Sequence, residues 1–433
     1  MKFKSIGRAV LATGMSLAIG FGATACSRDY TVAYVYATSQ NNNEVSAFAV
    51  DYQSGALTQL NGSPFTGTGD KPVALVAAPN GKFLYTINNK DSNVTEFAIG
   101  TDGKLYGQNT YNITGGTFPV AAAIDSTGSY LYVAFTYQSG YSDGSPGPGG
   151  VSIFKINSDN SLAAEGSVPV GNGPTAIAVS NPVCAVTPLA GTDNPKCTGD
   201  NGAGYENIYV YVLDNEQLNL QPTGNKPAIV GFYQDIAKNS LNLLSGSSCT
   251  TATPSQCTGY TVGVQPTSIG VEPTSSYVYV TDAITNNVYG FQIAGGGAPA
   301  GSLTGITNSP FTPGTGTYPV NLTIDPRGKY LYTANQASST VSGFTINLSN
   351  GSLSLVGTGA SVGTQPMCVT VEPALGIYLY TSNLKDNSIS GEQLNPNTGA
   401  LSAIPNTPFP AASQPSCITA VANGSHAQSI DVD

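Results

Sequence analysis

A unit of about 50 residues recurs along the chain after residue 30, and no other feature of the sequence narrows the fold so far. Three landmarks repeat in fixed order. The first is an X-Pro step before an apolar stretch: Lys71-Pro72, Phe118-Pro119, Gly173-Pro174, Gln265-Pro266, Tyr318-Pro319, Gln365-Pro366 and Gln414-Pro415. The second is an aromatic step after a Pro/Asp/Gly turn: Tyr34-Val35-Tyr36, Phe83-Leu84-Tyr85, Tyr130-Leu131-Tyr132, Tyr209-Val210-Tyr211, Tyr277-Val278-Tyr279, Tyr330-Leu331-Tyr332 and Tyr378-Leu379-Tyr380. The third is an alternating strand such as Val341 to Ile346, followed by a turn and a Leu step such as Gly351-Ser352-Leu353. Alternation marks a strand with one buried face, and the Leu opens the next strand.

Each unit therefore supplies four antiparallel strands, innermost first. A lone four-stranded sheet cannot bury both faces, so the units stack radially. Seven copies predict an all-β fold, a seven-bladed β-propeller. The first copy begins at its second strand and the last X-Pro strand, from Pro415, has no aromatic strand after it. The C-terminal strand is thus expected to complete blade one and close the ring. Composition agrees: 9% of residues are charged, Gly numbers 51, Tyr 24, and Trp is absent, which suits short strands and tight turns.

Residues 1–25 read as a signal peptide rather than part of the fold. Lys2, Lys4 and Arg8 precede an apolar run, and Ala23-Thr24-Ala25 is a small-x-small cleavage site. Cys26 follows directly, so lipidation of Cys26 is expected, with plain secretion as the alternative. Residues 26–29 form a short tether and residues 30–433 a single propeller. The implied location is the cell envelope, with membrane attachment through the lipid only.

Six further cysteines, an even number, suit an oxidising compartment. Cys184 with Cys197 and Cys249 with Cys257 each lie within one loop-like segment. Cys368 and Cys417 each lie two residues after a Pro in neighbouring innermost strands, where a disulfide would lock the seam; the Cα separation permitted is about 7 Å. No spacing suggests a metal, and no cofactor is implied. A net charge of −10 without a basic cluster argues against nucleic acid.

In a four-stranded blade, the turn before the first strand and the turn after the second open on one face. The first set places Lys71, Phe118, Gln265, Tyr318, Gln365 and Gln414 near the axis. The second places Asn88, Asp214, Asp282, Asn335 and Asn383 farther out. Amides and aromatic faces suit a neutral polyhydroxyl ligand; alternatively the Asn and Asp residues cap their own turns.

The runs Tyr277 to Asp282, Tyr330 to Asn335 and Asp325-Pro326-Arg327-Gly328-Lys329-Tyr330 resemble those of the seven-bladed lactonase-like propellers, a family that includes 6-phosphogluconolactonase and overlaps with proteins bearing Tyr-Val-Thr-Asn repeats. The resemblance spans Tyr30 to Asp433 and implies a cleft with His, Arg and Glu for lactone hydrolysis. This chain has one His, His426, and one Arg after Arg28, Arg327 in a turn of the opposite face. The expectation is therefore a non-catalytic monomeric scaffold that binds a carbohydrate or an envelope protein. The alternative is an extracytoplasmic lactone hydrolase with Asp214 or Asp282 as base or calcium ligand.

Overall fold

The computed structural model describes residues 30–185, 196–197, 205–215, 226–250, 253–295 and 299–424. Residues 1–29, and with them the expected signal peptide and Cys26, lie outside the described residues, as does His426. Seven antiparallel sheets of four principal strands follow one another in chain order. Blade two, for example, runs Pro72–Ala77, Phe83–Asn88, Asn93–Ile99 and Leu105–Asn112 from the axis outward. Each innermost strand lies against the next, and the seven form a ring.

The second strand of each blade is buried on both faces, because neighbouring blades cover it. The period of two then divides its side chains between two partners. In blade five, Tyr277 and Tyr279 pack forward with Leu322, Leu331 and Phe344 of blade six. Val278 and Val280 between them pack backward with Tyr209 and Tyr211 of blade four.

The second tyrosine of each step also reaches the next blade. In five blades its hydroxyl donates to a carbonyl in the turn between the third and fourth strands: Tyr36 to Gly103, Tyr211 to Gly301, Tyr279 to Gly351, Tyr332 to Gly399 and Tyr380 to Gly55, at 2.6 to 2.8 Å, whereas Tyr132 donates to the Gln234 side chain. Those five glycines have φ between +70° and +80°. A Cβ on Gly351 would stand 2.4 Å from the Tyr277 ring, so both the backbone and the neighbouring aromatic require glycine there. Blade three uses Asn160 in the same left-handed conformation, and its carbonyl accepts from Tyr85 at 2.9 Å.

The ring closes as the repeat predicts. Pro415–Ala422 pairs antiparallel with Thr31–Ser39, Tyr34 opposite Val421 and Ala37 opposite Ile418. Ser416 adds a side-chain bond to Thr38 and donates to the Pro72 carbonyl of blade two.

Insertions stay outside the blades. A short hairpin, Val183–Ala185 with Tyr205–Asn207, separates the first two strands of blade four, and Cys184 is bonded to Cys197 beside it. A second hairpin carries the Cys249–Cys257 disulfide and packs on the outer strands of blades three and four. Cys368 and Cys417 are thiols in this structure, with their sulfurs 3.1 Å apart. The packing of neighbouring blades thus brings the two sulfurs into contact.

Candidate functional site

The X residues of the X-Pro steps stand at one mouth of the ring, on an unusual backbone. Lys71, Phe118, Tyr318, Gln365 and Gln414 all have φ between +53° and +60°, left-handed conformations that non-glycine residues adopt only when their surroundings impose them. The imposing groups are visible. The amide of Lys71 donates to Asn43 at 2.9 Å, that of Phe118 to Ser92, that of Tyr318 to Asn286 and that of Gln414 to Asn387, in each case on the preceding blade. The carbonyls of Lys71, Tyr318 and Gln365 accept from Asn89, Gln336 and Leu384 just beyond their own second strands. Bonds at both ends hold the mouth residues rigidly. Lys71 and Gln414 are exposed, and Phe118, Gln265, Tyr318 and Gln365 are half-buried. Phe118 also meets Tyr137 edge-on, with ring centroids 6.0 Å apart.

The outer set behaves differently, with side chains bonded to the turns of their own blades. Asp282 is fully buried. One carboxylate oxygen accepts the amides of Val264 and Gln265 at 2.6 and 2.7 Å, and the other accepts the amide and hydroxyl of Thr285. Asp214, also buried, accepts the Gly173 amide at 2.8 Å. Both carboxylates bond to the pre-proline turn of their own blade. Asn88, Asn335 and Asn383 are likewise buried, with amide nitrogens donating to Asn93 and Thr95, to Thr340 and Ser342, and to Ser388 and Ser390. These bonds brace the turns that follow the second strands.

The sequence carries a signal for this burial. Gly69, Gly171, Gly263, Gly316 and Gly363 each stand three residues before the proline of the step. A Cβ at any of them would come within 1.9 to 2.8 Å of Asn88, Asp214, Asp282, Asn335 or Asn383. In blade one the strand ends in the smaller Ser39, and Ala412 occupies the matching position. The pairing of a glycine with a large polar terminus shows that the terminus points inward under the loop.

The seven innermost strands contain no Asp, Glu, Lys, Arg or His; their ionisable side chains are the thiols of Cys368 and Cys417. At the opposite end, a cavity of about 410 Å³ is lined by Val76, Ala77, Ile124, Pro373, Thr419 and Ala420 among others, without a charged side chain. Arg327 stands on that face too. Its guanidinium holds Asp325 at 2.8 Å and donates to the Gly376 carbonyl of the next blade. Asp325 in turn accepts the amides of Lys329 and Tyr330, and Glu372 holds the corresponding turn in blade seven through Ala374, Leu375 and Ile377. Among the described residues no group of three or more His, Cys, Asp or Glu is placed to hold a metal.

The fold and its mouth define a seven-bladed propeller with an uncharged axis and a polar and aromatic rim. The family model described as "Lactonase, 7-bladed beta-propeller" matches residues 35–231 and 235–371, well over half of the chain, and the protein belongs to that family. Among solved structures, the periplasmic gluconolactonase PpgL of Pseudomonas aeruginosa is similar at TM-score 0.65 and 16% identity, covering 91% of this chain and 100% of that one. A Bacteroides uniformis protein, provisionally assigned as a 6-phosphogluconolactonase, is similar at TM-score 0.64 and 19% identity, covering 90% and 100%. At such identities the likeness establishes the fold. No curated protein sequence matches the chain significantly.

Proposed function

We propose that this chain opens the ring of a neutral sugar lactone outside the cytoplasm, with the pre-proline rim as the substrate platform. The observation that carries the reading is the set of equivalent side chains, Lys71, Phe118, Gln265, Tyr318, Gln365 and Gln414, brought to one mouth by seven copies of one turn. Family membership supports it, as does the name of the Pseudomonas neighbour. The glutamine amides can donate to and accept from sugar hydroxyls, and the rings of Phe118 and Tyr318 offer faces to sugar C–H groups. Lys71 is the charged member of the rim and suits the oxyanion that forms when water adds to the lactone carbonyl. The acyl–oxygen bond then breaks, the ring oxygen takes up a proton, and an aldonate and a proton leave to solvent. A phosphorylated lactone fits less well, since the described Arg is committed to the other face.

The test is an assay of the purified chain on a panel of sugar lactones, corrected for the spontaneous rate, with and without calcium and with EDTA. Wild-type turnover that falls at least about tenfold in Lys71→Met and is insensitive to EDTA is the expected result, a loss of about 1.4 kcal/mol of transition-state stabilisation. The commitment of Asp214 and Asp282 to backbone amides favours a second reading, sugar binding without turnover. No hydrolysis above the buffer rate, together with calorimetric binding of an aldose that Gln365→Ala weakens, would establish that reading instead.

We also propose export and acylation at Cys26, supported by the N-terminal pattern and by two disulfides. Incorporation of labelled fatty acid that disappears in Cys26→Ser is expected; label retained by the variant, or none in the wild type, overturns acylation.

A further inference from the structure

The innermost ring carries one pair of reactive groups, and it stands at the seam. The residue two places after the proline is Ala74, Ala121, Ala176, Ser268 and Asn321 in blades two to six, but Cys368 in blade seven and Cys417 in the closing strand. Their sulfurs are 3.1 Å apart, about one ångström beyond a disulfide bond. Cys368 is buried among Ile418, Tyr380 and Ala37, whereas Cys417 is half-buried. The seam is also the only blade completed by the two ends of the described chain, so its strand pairing has no covalent turn between Pro415–Ala422 and Thr31–Ser39.

We infer that Cys368 and Cys417 form a redox clasp: the dithiol is the state in which the ring assembles, and oxidation by an external disulfide bolts the closing strand to blade seven. The chemistry balances as two thiol–disulfide exchanges. The thiolate of Cys417, the less buried residue, attacks one sulfur of an external disulfide, giving a mixed disulfide and one external thiolate. The thiolate of Cys368 then attacks the Cys417 sulfur, which joins the two strands and releases the second external thiolate. Two protein thiols lose two protons and two electrons, and the external disulfide becomes two thiols. The Cys368 sulfhydryl held against Cys417 lowers the pKa of Cys417, while the hydrogen bond to Cys417 and then burial raise that of Cys368; this order of ionisation agrees with the order of attack. Blade separation is no obstacle, because the strands already hold the sulfurs in contact.

The clasp is distinct from the two loop disulfides in what it constrains. Cys184–Cys197 and Cys249–Cys257 close short insertions, whereas a Cys368–Cys417 bond ties the last strand of the ring to its neighbour. It makes closure irreversible in an oxidising compartment and reversible in a reducing one. The inference stands independently of the lactone reading, since it rests on the seam alone.

The experiment uses the whole wild-type chain, treated with oxidised glutathione, alkylated without reduction and digested. A cross-linked peptide pair containing Cys368 and Cys417, two hydrogens lighter than the sum of its reduced parts, is expected. Alkylation of both residues in a sample whose two loop disulfides are intact would overturn the clasp. A second measurement follows proteolysis. Oxidised wild type should release its C-terminal strand at least about tenfold more slowly than Cys417→Ser, with the two equal once the wild-type pair is selectively kept reduced. Equal rates with the bond demonstrably formed would show a cross-link that secures nothing.

Discussion

Removing residues 415–433 is expected to abolish cooperative folding and leave protein that elutes as aggregate. The strand Thr31–Ser39 would keep an unpaired edge of amides and carbonyls beside the exposed flanks of blades two and seven. Ile418 and Val421, each 4% exposed, belong to the clusters that join blade one to both neighbours, and burying such a side chain is worth about 1.5–3 kcal/mol. Adding the lost ladder bonds and the Ser416 bonds to Thr38 and Pro72 approaches the whole stability of a domain, roughly 5–15 kcal/mol. Moving residues 415–424 to precede Thr31 directly should restore folding, because Asn423 already bonds to the Val32 carbonyl and would become part of an ordinary turn between first and second strands. A truncated chain that stays soluble and melts within a few degrees of the intact one would show that six blades and a partial seventh suffice.

Replacing Glu392 is expected to stabilise the protein at neutral and alkaline pH. The residue opposite the middle of each aromatic step is Phe48, Phe97, Phe154, Phe232, Phe291 and Phe344 in six blades, and Glu392, opposite Leu379, in the seventh. Glu392 is 2% exposed, and loss of solvent pushes its pKa up to about 7. The folded state therefore holds a proton that the unfolded chain, with a carboxyl pKa of about 4.3, releases. Stability contributed by the neutral acid is present below about pH 4.5 and is lost as the pH rises to about 7, after which the difference stays constant. Glu392→Gln should be more stable than wild type by about 2 kcal/mol at pH 8, after discounting for residual solvent screening, and nearly equal to it at pH 4. Denaturant titrations at the two pH values decide it. A difference that is the same at both would assign the effect to packing instead of ionisation.

The rim and the braces behind it are made from the same residue types, which is why the sequence pattern left the outer set open between ligand contact and turn capping. Gln365 and Asn383 are both amides at turns on the same face, yet Gln365 stands half-exposed and Asn383 lies under the loop bonded to Ser388 and Ser390. Spacing gives the turn but not the direction of the side chain. That direction is set by whether a glycine three residues before the proline leaves room beneath, as Gly363 does for Asn383.

By itself the sequence determined the blade count, the order of strands, the seam and the start of the outermost strands at residues such as Leu57, Leu105, Leu353 and Leu401. Those features repeat because every blade meets the same burial problem, so each copy corroborates the others. Only the tertiary structure decided what the singular residues do. Arg327 is spent on Gly376 of the next blade, Asp282 on its own pre-proline turn, Glu392 on a desolvated gap where an aromatic belongs, and Cys368 on contact with Cys417. A singular residue has no repeat to be read against, and its partner arrives from another strand or blade through packing, so its role exists only once the ring has closed.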